Sequence, residues 1–468
     1  MRIFCRLCWG MRRAFGLILC NTPKKTCRNH HSVHRSVGFS LCVAGLILLA
    51  NAHAGYAQGT QTAPLITETM PVEVDSGLVE NTADQQAVVF TTRIFIPGAD
   101  AIRLTFDKVV LAGLVSDGSG SFLRMRSTLD NGEQRLNAIH ILQWRNTSAF
   151  FNGDEVIIEL VAQPGTGLNR LVMSSVQAEF APFTDESICG DTDDREISQD
   201  PRMARLLPVG CTGWMINDCN HCFLTAGHCA RGSNYITLVE FNVPLSNHDR
   251  SLNHPPPEDQ YAPDNTSRQS NGGQGIGNDY AYFGVFPNPN TGLTPYEAQG
   301  DAFETESPPP VHGQQINITG YGVTSPPEPN EWTQVQKDND GPYVSFSGTT
   351  VSYQVDTSGG NSGSPVFDLE TGKAIGIHTH GGCNSSGGNF GTGLNHPGLQ
   401  AFLDNPLGVC AETDCLADFN DDGLVDSEDV ILFVNAWSQK EAGADINEDG
   451  KIDVQDITLF LNLWSEGC

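Results

Sequence analysis

Residues 356–367 read DTSGGNSGSPVF, that is Asp356-Thr357-Ser358-Gly359-Gly360-Asn361-Ser362-Gly363-Ser364-Pro365-Val366-Phe367. The hydroxyl of Ser362 sits among residues small enough for a sharp turn, which Gly360 and Gly363 make sterically accessible. Such a turn directs the N–H groups of Gly360 and Ser362 at a developing negative charge. A serine becomes nucleophilic for acyl transfer only beside a base, and the base needs a carboxylate to fix its tautomer. Working outward, the chain upstream supplies both: LTAGHC (224–229) holds His228 and GNDYAYF (277–283) holds Asp279. The order is His, Asp, Ser, with separations of 51 and 83 residues.

These three segments together resemble the trypsin/chymotrypsin superfamily of serine endopeptidases. The resemblance implies two consecutive six-stranded β-barrels with the site between them, acting on protein or peptide substrates. It makes His228 the general base, Asp279 the orienting carboxylate, Ser362 the nucleophile, and the amides of Gly360 and Ser362 the oxyanion hole. Cys211 lies 18 residues before Cys229 across a hairpin-like run, and a Cys211–Cys229 bridge resembles the family's bridge beside the histidine. Within the superfamily, residues 357–367 followed by Ile375-Gly376-Ile377-His378 resemble glutamyl endopeptidases. That likeness places Thr357 and His378 in the primary specificity pocket and implies a preference for Glu or Asp before the scissile bond. The physics agrees: a carboxylate wants a hydroxyl donor and an imidazole that can be cationic, whereas a pocket for Lys or Arg wants an acid. Thr379, His380 and Gly381 then form the strand on which substrate backbone pairs. Given that preference, Glu186-Ser187 is a candidate self-processing site. The resemblance implies no cofactor for catalysis.

The last segment carries a repeat. DFNDDGLVDSED (418–429) recurs 27 residues later as DINEDGKIDVQD (445–456). Calcium takes six to eight hard oxygens, and a 12-residue loop offers them from positions 1, 3, 5, 7, 9 and 12, with Gly at 6 for the turn. The positions are Asp418, Asn420, Asp422, Leu424 (through its carbonyl), Asp426 and Asp429, then Asp445, Asn447, Asp449, Lys451 (carbonyl), Asp453 and Asp456. Each loop is followed by a matching helical run, VILFVNAWS and ITLFLNLWS. Over residues 415–468 this resembles a type I dockerin, which implies two bound calcium ions and a cohesin-like or cell-surface partner. Loop positions 10 and 11, through which dockerins dock, are Ser427-Glu428 and Val454-Gln455, a dissimilar pair of pairs. Cys415 and Cys468 stand at the module's two ends and are positioned to clasp it.

Length and charge frame these motifs. At 468 residues the chain is long enough for two to four domains. The net charge is −29, and residues 1–54 contain eight Lys/Arg and no Asp/Glu, so the remainder is more acidic still. Such a surface repels phosphate backbones and anionic membranes. A 14-residue apolar run (37–50) follows the basic stretch and precedes Ala52-His53-Ala54, the pattern of an export signal over 1–57 cleaved near Ala54 or Ala57. At that length it is too short to span a bilayer. A secreted protein with no membrane association after signal removal is expected. Residues 58–186 hold alternating runs separated by Pro-Gly, Asp-Gly and Asn-Gly dipeptides, which predict an antiparallel β-sandwich acting as propeptide or accessory domain. The fold is thus expected to be mainly β: sandwich, double-barrel protease domain (187–408) and a small helical calcium-binding module. Of the 14 cysteines, nine lie beyond the signal, and export makes them disulfides with one left over. Cys219 and Cys222 are expected to close a hairpin loop; the competing drawing, a zinc site from Cys219, His221, Cys222, His228 and Cys229, is disfavoured by export. Cys189 is expected to reach Cys383 or Cys410. Two other function classes fit the sequence: a dockerin-bearing scaffold or adhesion protein in which the protease domain is secondary, and a protease of other specificity.

Overall fold

A computed structural model describes residue 60 and residues 62–464, apart from 116–117, 180–185, 191, 234, 384–387, 412–416, 418, 420–424, 426, 447–450, 454–455, 458–459 and 462–463. The expected export signal 1–57, Cys415, Cys468 and the expected calcium positions Asp418, Asn420, Asp422, Leu424, Asp426, Asn447 and Asp449 therefore lie outside the described residues. No helix among the described residues is long and apolar enough to cross a membrane.

The first 120 or so described residues form two antiparallel sheets, as alternation predicts. One runs Thr67–Asp75, Arg170–Glu179, Ala101–Thr105, Thr147–Asn152; the other runs Ala87–Phe95, Glu155–Ala162, Phe122–Ser127, Glu133–Leu136. In Glu155–Ala162 every second side chain from Val156 to Leu160 is buried, the period-two signature of a sheet with one face in a core. The short helix Ala138–Gln143 is fixed by a capping box in which Asn137 and His140 satisfy each other's backbone N–H groups.

Two seven-stranded sheets follow. The first orders Gln260–Tyr261, Ile236–Glu240, Met203–Pro208, Cys211–Met215, Phe223–Thr225, Ala281–Val285, Pro263–Ser270. The second orders Glu196–Ile197, Lys337–Ser347, Gln315–Gly320, Pro365–Asp368, Lys373–His380, Asn389–Gly393, Thr350–Tyr353, and a further pairing of Lys337–Ser347 with Thr350–Tyr353 closes six of its strands into a barrel. One apolar cluster, with Trp214, Phe303, Ala374 and Ile377, spans both barrels and seats the site between them.

The sandwich is not a separate lobe. Its core cluster (Ile102, Leu104, Phe150, Val176) continues into Leu207, Leu238, Leu252 and Ala262 of the first barrel. Each fully buried Leu contributes roughly 1.5–3 kcal/mol, so the sandwich and the barrel stabilise one another. Backbone pairing reinforces the seam, with Phe150 N–H donating to Gln260 Oε1 (2.9 Å) and Gln260 Nε2 donating back to Phe150 O (3.0 Å). In the C-terminal module the helix Ser427–Gln439 packs Phe433 and Ala436 on Phe460, with the two Phe rings stacked at 4.0 Å.

Disulfides with both partners among the described residues are Cys189–Cys383, Cys211–Cys229 and Cys222–Cys410. Cys211–Cys229 and the Cys189–Cys383 option stand as expected. The expected Cys219–Cys222 loop is corrected: Cys222 reaches 188 residues along the chain to Cys410, and Cys219 is disulfide-bonded separately. The strand ending at Thr225 turns Cys222 inward toward the segment that leaves the second barrel, which chain spacing cannot reveal.

Candidate active site

His228 lies in the tight turn Gly227–Ala230 directly after the strand Phe223–Thr225, and the Cys211–Cys229 bridge ties that turn to the neighbouring strand. Its Nδ1 is 2.6 Å from Asp279 Oδ2, and its backbone N–H donates to Asp279 Oδ1 at 2.9 Å. Asp279 is anchored in turn: its N–H donates to Thr392 Oγ1 and Thr392 Oγ1 donates to its carbonyl, both at 3.0 Å. Burial alone would raise the Asp279 pKa, but the hydrogen bond and charge of His228 outweigh it and hold the carboxyl below its ordinary value. The other ring nitrogen, His228 Nε2, is buried without a hydrogen-bond partner.

The turn around Ser362 is built as the sequence suggests. Gly360 and Gly363 adopt φ of +104° and +96°. A Cβ on Gly360 would sit 2.2 Å from Tyr321 O, and one on Gly363 2.1 Å from Thr212 O, so no other residue fits. Thr212 N donates to Ser362 O (2.8 Å), Thr212 Oγ1 to Gly360 O (2.8 Å), and Trp214 Nε1 to Gly363 O (2.9 Å). Cys229 Sγ lies 3.8 Å from the same Ser362 carbonyl, which puts the turn beside His228.

Sequence reasoning missed the supports of this turn. Asn361, directly before Ser362, accepts at Oδ1 from Ser358 N (3.0 Å) and from Arg195 Nη1 (3.3 Å). Arg195 also donates to Val323 O (2.9 Å) and forms a buried pair with Asp193 (2.5 Å), so a guanidinium fixes the loop from within. Nothing in DDREIS signals this, because the partners are more than 120 residues away.

Thr357, His378 and Thr379 are fully buried, and Gly381 is buried beside them. Asn389 links this region: its Nδ2 donates to Thr357 Oγ1 (2.9 Å) and its Oδ1 accepts from Gly382 N (2.9 Å) and Cys383 N (3.2 Å). His378 Nδ1 is 2.7 Å from the Tyr353 hydroxyl, a partner the sequence did not point to. Burial, with the nearby His380 and His228, pushes the His378 imidazole down to about 3, so it is neutral near neutral pH rather than cationic. The expected self-processing bond Glu186–Ser187 is paired antiparallel with Thr357–Ser358, and cleavage there requires that ladder to open.

The zinc drawing is corrected. Sγ of Cys211 and Cys229 and a ring nitrogen of His228 do converge within 4.8 Å, but both sulfurs are consumed in one disulfide and Cys222 in another, which leaves no thiolate for a cation. The calcium positions that are described are Asp429, Asp445, Lys451, Asp453 and Asp456. Asp429 and Asp456, the twelfth residue of each loop, are fully buried. Asp456 accepts from Ile446 N (3.0 Å) and Asp453 N (2.7 Å), which folds the second loop back on its last residue.

Residues 211–377 match a family model described as a trypsin-like peptidase domain. No curated protein matches the chain. Among solved structures, a Glu endopeptidase in complex with MPD is 20% identical with a TM-score of 0.36, over 46% of this chain and 97% of that one. A thermostable serine protease, AL20, from an extremophilic microorganism is 19% identical with a TM-score of 0.32, over 42% and 91%. The protease Anisep from Arthrobacter nicotinovorans is 18% identical with a TM-score of 0.34, over 45% and 98%.

Proposed function

From the trypsin-like peptidase domain that the chain carries over residues 211–377, we propose that it is an exported serine endopeptidase working through Ser362, His228 and Asp279. The observation that carries this is the buried His228–Asp279 pair, 2.6 Å apart, set against the glycine-enforced Ser362 turn. Ser362 Oγ attacks the scissile carbonyl carbon while its proton passes to His228 Nε2. Asp279 holds the imidazole by Nδ1 and stabilises the imidazolium, and the amides of Gly360 and Ser362 receive the oxyanion. Collapse expels the amine, which takes the proton from His228, and water hydrolyses the acyl-enzyme by the same steps in reverse order. Export is supported by three disulfides among the described residues.

Glu or Asp is proposed as the residue before the scissile bond, with Thr357 and His378 as its partners. Burial keeps the Tyr353 phenol protonated, so it can donate to His378 Nδ1 and fix the neutral imidazole's tautomer and orientation. Cleavage of a mixed peptide library, with fluorophosphonate labelling mapped to Ser362, tests both parts. Cuts after Glu and Asp are expected; labelling with cuts after Lys, Arg or apolar residues would discard the pocket and keep the protease. The Glu-to-Gln ratio of kcat/KM should stay flat from about pH 5.5 to 8, because a histidine already neutral has no charge to lose there; a fall near 6.5 would mark a cationic His378 instead.

The C-terminal module is proposed to bind two calcium ions through loops 418–429 and 445–456, with a cohesin-like or cell-surface partner. Hard oxygen donors at the spacing calcium requires support this, as do the buried twelfth-position carboxylates. Calorimetric titration is expected to give two sites, and EDTA to lower the module's melting temperature; a chain that melts identically with calcium and with EDTA would sink it.

A further inference from the structure

Thr60 and residues 62–65 precede the first strand of the sandwich, and of these only Leu65 packs into its core. Thr60 pairs antiparallel with His380, the strand expected to receive substrate backbone. Ala63 N donates to Gly210 O and Leu65 N to Pro208 O, both at 2.8 Å, and Gln334 Nε2 donates to Ala63 O at 3.1 Å. Gly210 has φ +61°, and a Cβ there would lie 1.6 Å from Ala63 O, so the segment is pressed against the backbone of the first barrel. His380 ends the strand Lys373–His380 of the second barrel; Gly210 immediately precedes the first barrel's Cys211. Three extended residues reach at most about 10 Å, yet Thr60 pairs with the second barrel and Ala63 with the first. The cleft there has Thr60, Thr62 and Pro64 on one wall and His228, Arg231 and Tyr235 on the other. Independently, Ser362 and Thr379 have no exposed surface and His228 is only 3% exposed. A nucleophile and base that must meet a macromolecular substrate cannot work while wholly covered.

We propose that Thr60 and residues 62–64 are an intramolecular occupant of the substrate cleft, lying antiparallel along the path of a bound peptide, and that the protein carrying them is latent until they are displaced or removed. This rests on the serine endopeptidase reading. It also assigns the far side of the cleft: the carbonyls of Gly210 and Pro208 and the Gln334 amide are the groups that hold substrate backbone beyond the scissile bond. Extended peptides bind sheet edges through main-chain bonds of this kind, largely independent of sequence, so a segment tethered to its own enzyme competes at high effective concentration.

The test compares the full chain, a chain beginning at Leu65, which keeps the sandwich core whole, and full-length Ala63→Glu, which places a charge where Ala63 is fully buried. Hydrolysis of a fluorogenic peptide and the rate of fluorophosphonate labelling at Ser362 are measured on each. Both altered forms are expected to gain at least tenfold in kcat/KM, and a synthetic peptide of residues 58–66 to inhibit them competitively. Equal activity in all three forms without inhibition by the peptide would overturn the proposal while the endopeptidase reading stands. If the shortened chain does not fold, Ala63→Glu decides alone, since Ala63 lies outside the sandwich core. Absence of both hydrolysis and labelling in every form would reject the endopeptidase reading and this inference with it.

Discussion

Ser362→Ala is expected to lower turnover by about 10⁶-fold and Asp279→Asn by about 10⁴-fold. On the proposed mechanism the first removes the atom that becomes acylated. The second leaves the packing nearly unchanged but reverses a hydrogen bond. Asp279 accepts twice from His228, through the backbone N–H at 2.9 Å and at Nδ1 at 2.6 Å. An Asn can keep its oxygen on the backbone N–H only by presenting its NH₂ to Nδ1, which then has to accept. The proton moves to Nε2, the nitrogen that should receive the one from Ser362. Because Asp279 is held below the ordinary carboxyl range, this loss should be the same at all pH values where the enzyme is folded and His228 is neutral. Single-turnover kinetics with an activated ester would check it, alongside melting curves to exclude unfolding. The double variant should be no slower than Ser362→Ala alone, since the groups act as one unit; Ser362→Ala retaining a hundredth of the activity would end the triad assignment.

How much of this was legible in the sequence follows from the range of the interactions. The Ser362 turn rests on glycines next to the nucleophile, and the Cys211–Cys229 bridge closes over 18 residues, so both are written locally. The sandwich strands announce themselves by alternation. Cys189–Cys383 and Cys222–Cys410 span 194 and 188 residues, and no spacing rule selects such pairs. The fusion of sandwich and barrel left one overlooked sign: Met203–Pro208 is buried from Met203 to Leu207 on both faces, and the run MARLLPV is apolar without the alternation of a half-exposed strand. Arg195 beneath Asn361 and residues 60–65 across the cleft had no local pattern at all. Polar residues whose partners lie in another domain are chosen by geometry that exists only after folding.

His254→Ala is expected to cost about 3–5 kcal/mol, the penalty for breaking a buried ion pair from one side. His254 belongs to the first-barrel region, yet its Nε2 is 2.7 Å from Glu179 of the sandwich while its Nδ1 is 2.6 Å from Glu240 of the barrel, and its ring stacks on Phe150 at 4.3 Å. Arg205 completes the group by pairing with Glu240 at 2.7 Å, and the side chains of Arg205, Glu240, His254 and Glu179 are wholly buried. Burial alone would depress the imidazole pKa, but the two carboxylates outweigh it and raise it to about 8. Raised above its unfolded value of about 6.5, the group contributes its full stabilisation below that pH and loses it as pH climbs through 8. At roughly 1.4 kcal/mol per pH unit of difference, the loss is about 2 kcal/mol. Glu240, held below its ordinary value once Arg205 and His254 overcome its burial, works in the opposite direction and loses its contribution as pH falls through its folded value. Resistance to urea unfolding should therefore be greatest between the ordinary carboxyl range and about pH 6.5, and His254→Ala should flatten the decline between 6.5 and 8; an unchanged slope would place the cause elsewhere. Stripping away the whole sandwich would expose Leu207, Leu238 and Leu252 and strand Glu240 and His254 at a bare surface. Activation by that route would sacrifice the barrel that carries His228, whereas releasing the residues ahead of Leu65 opens the cleft and leaves the seam intact.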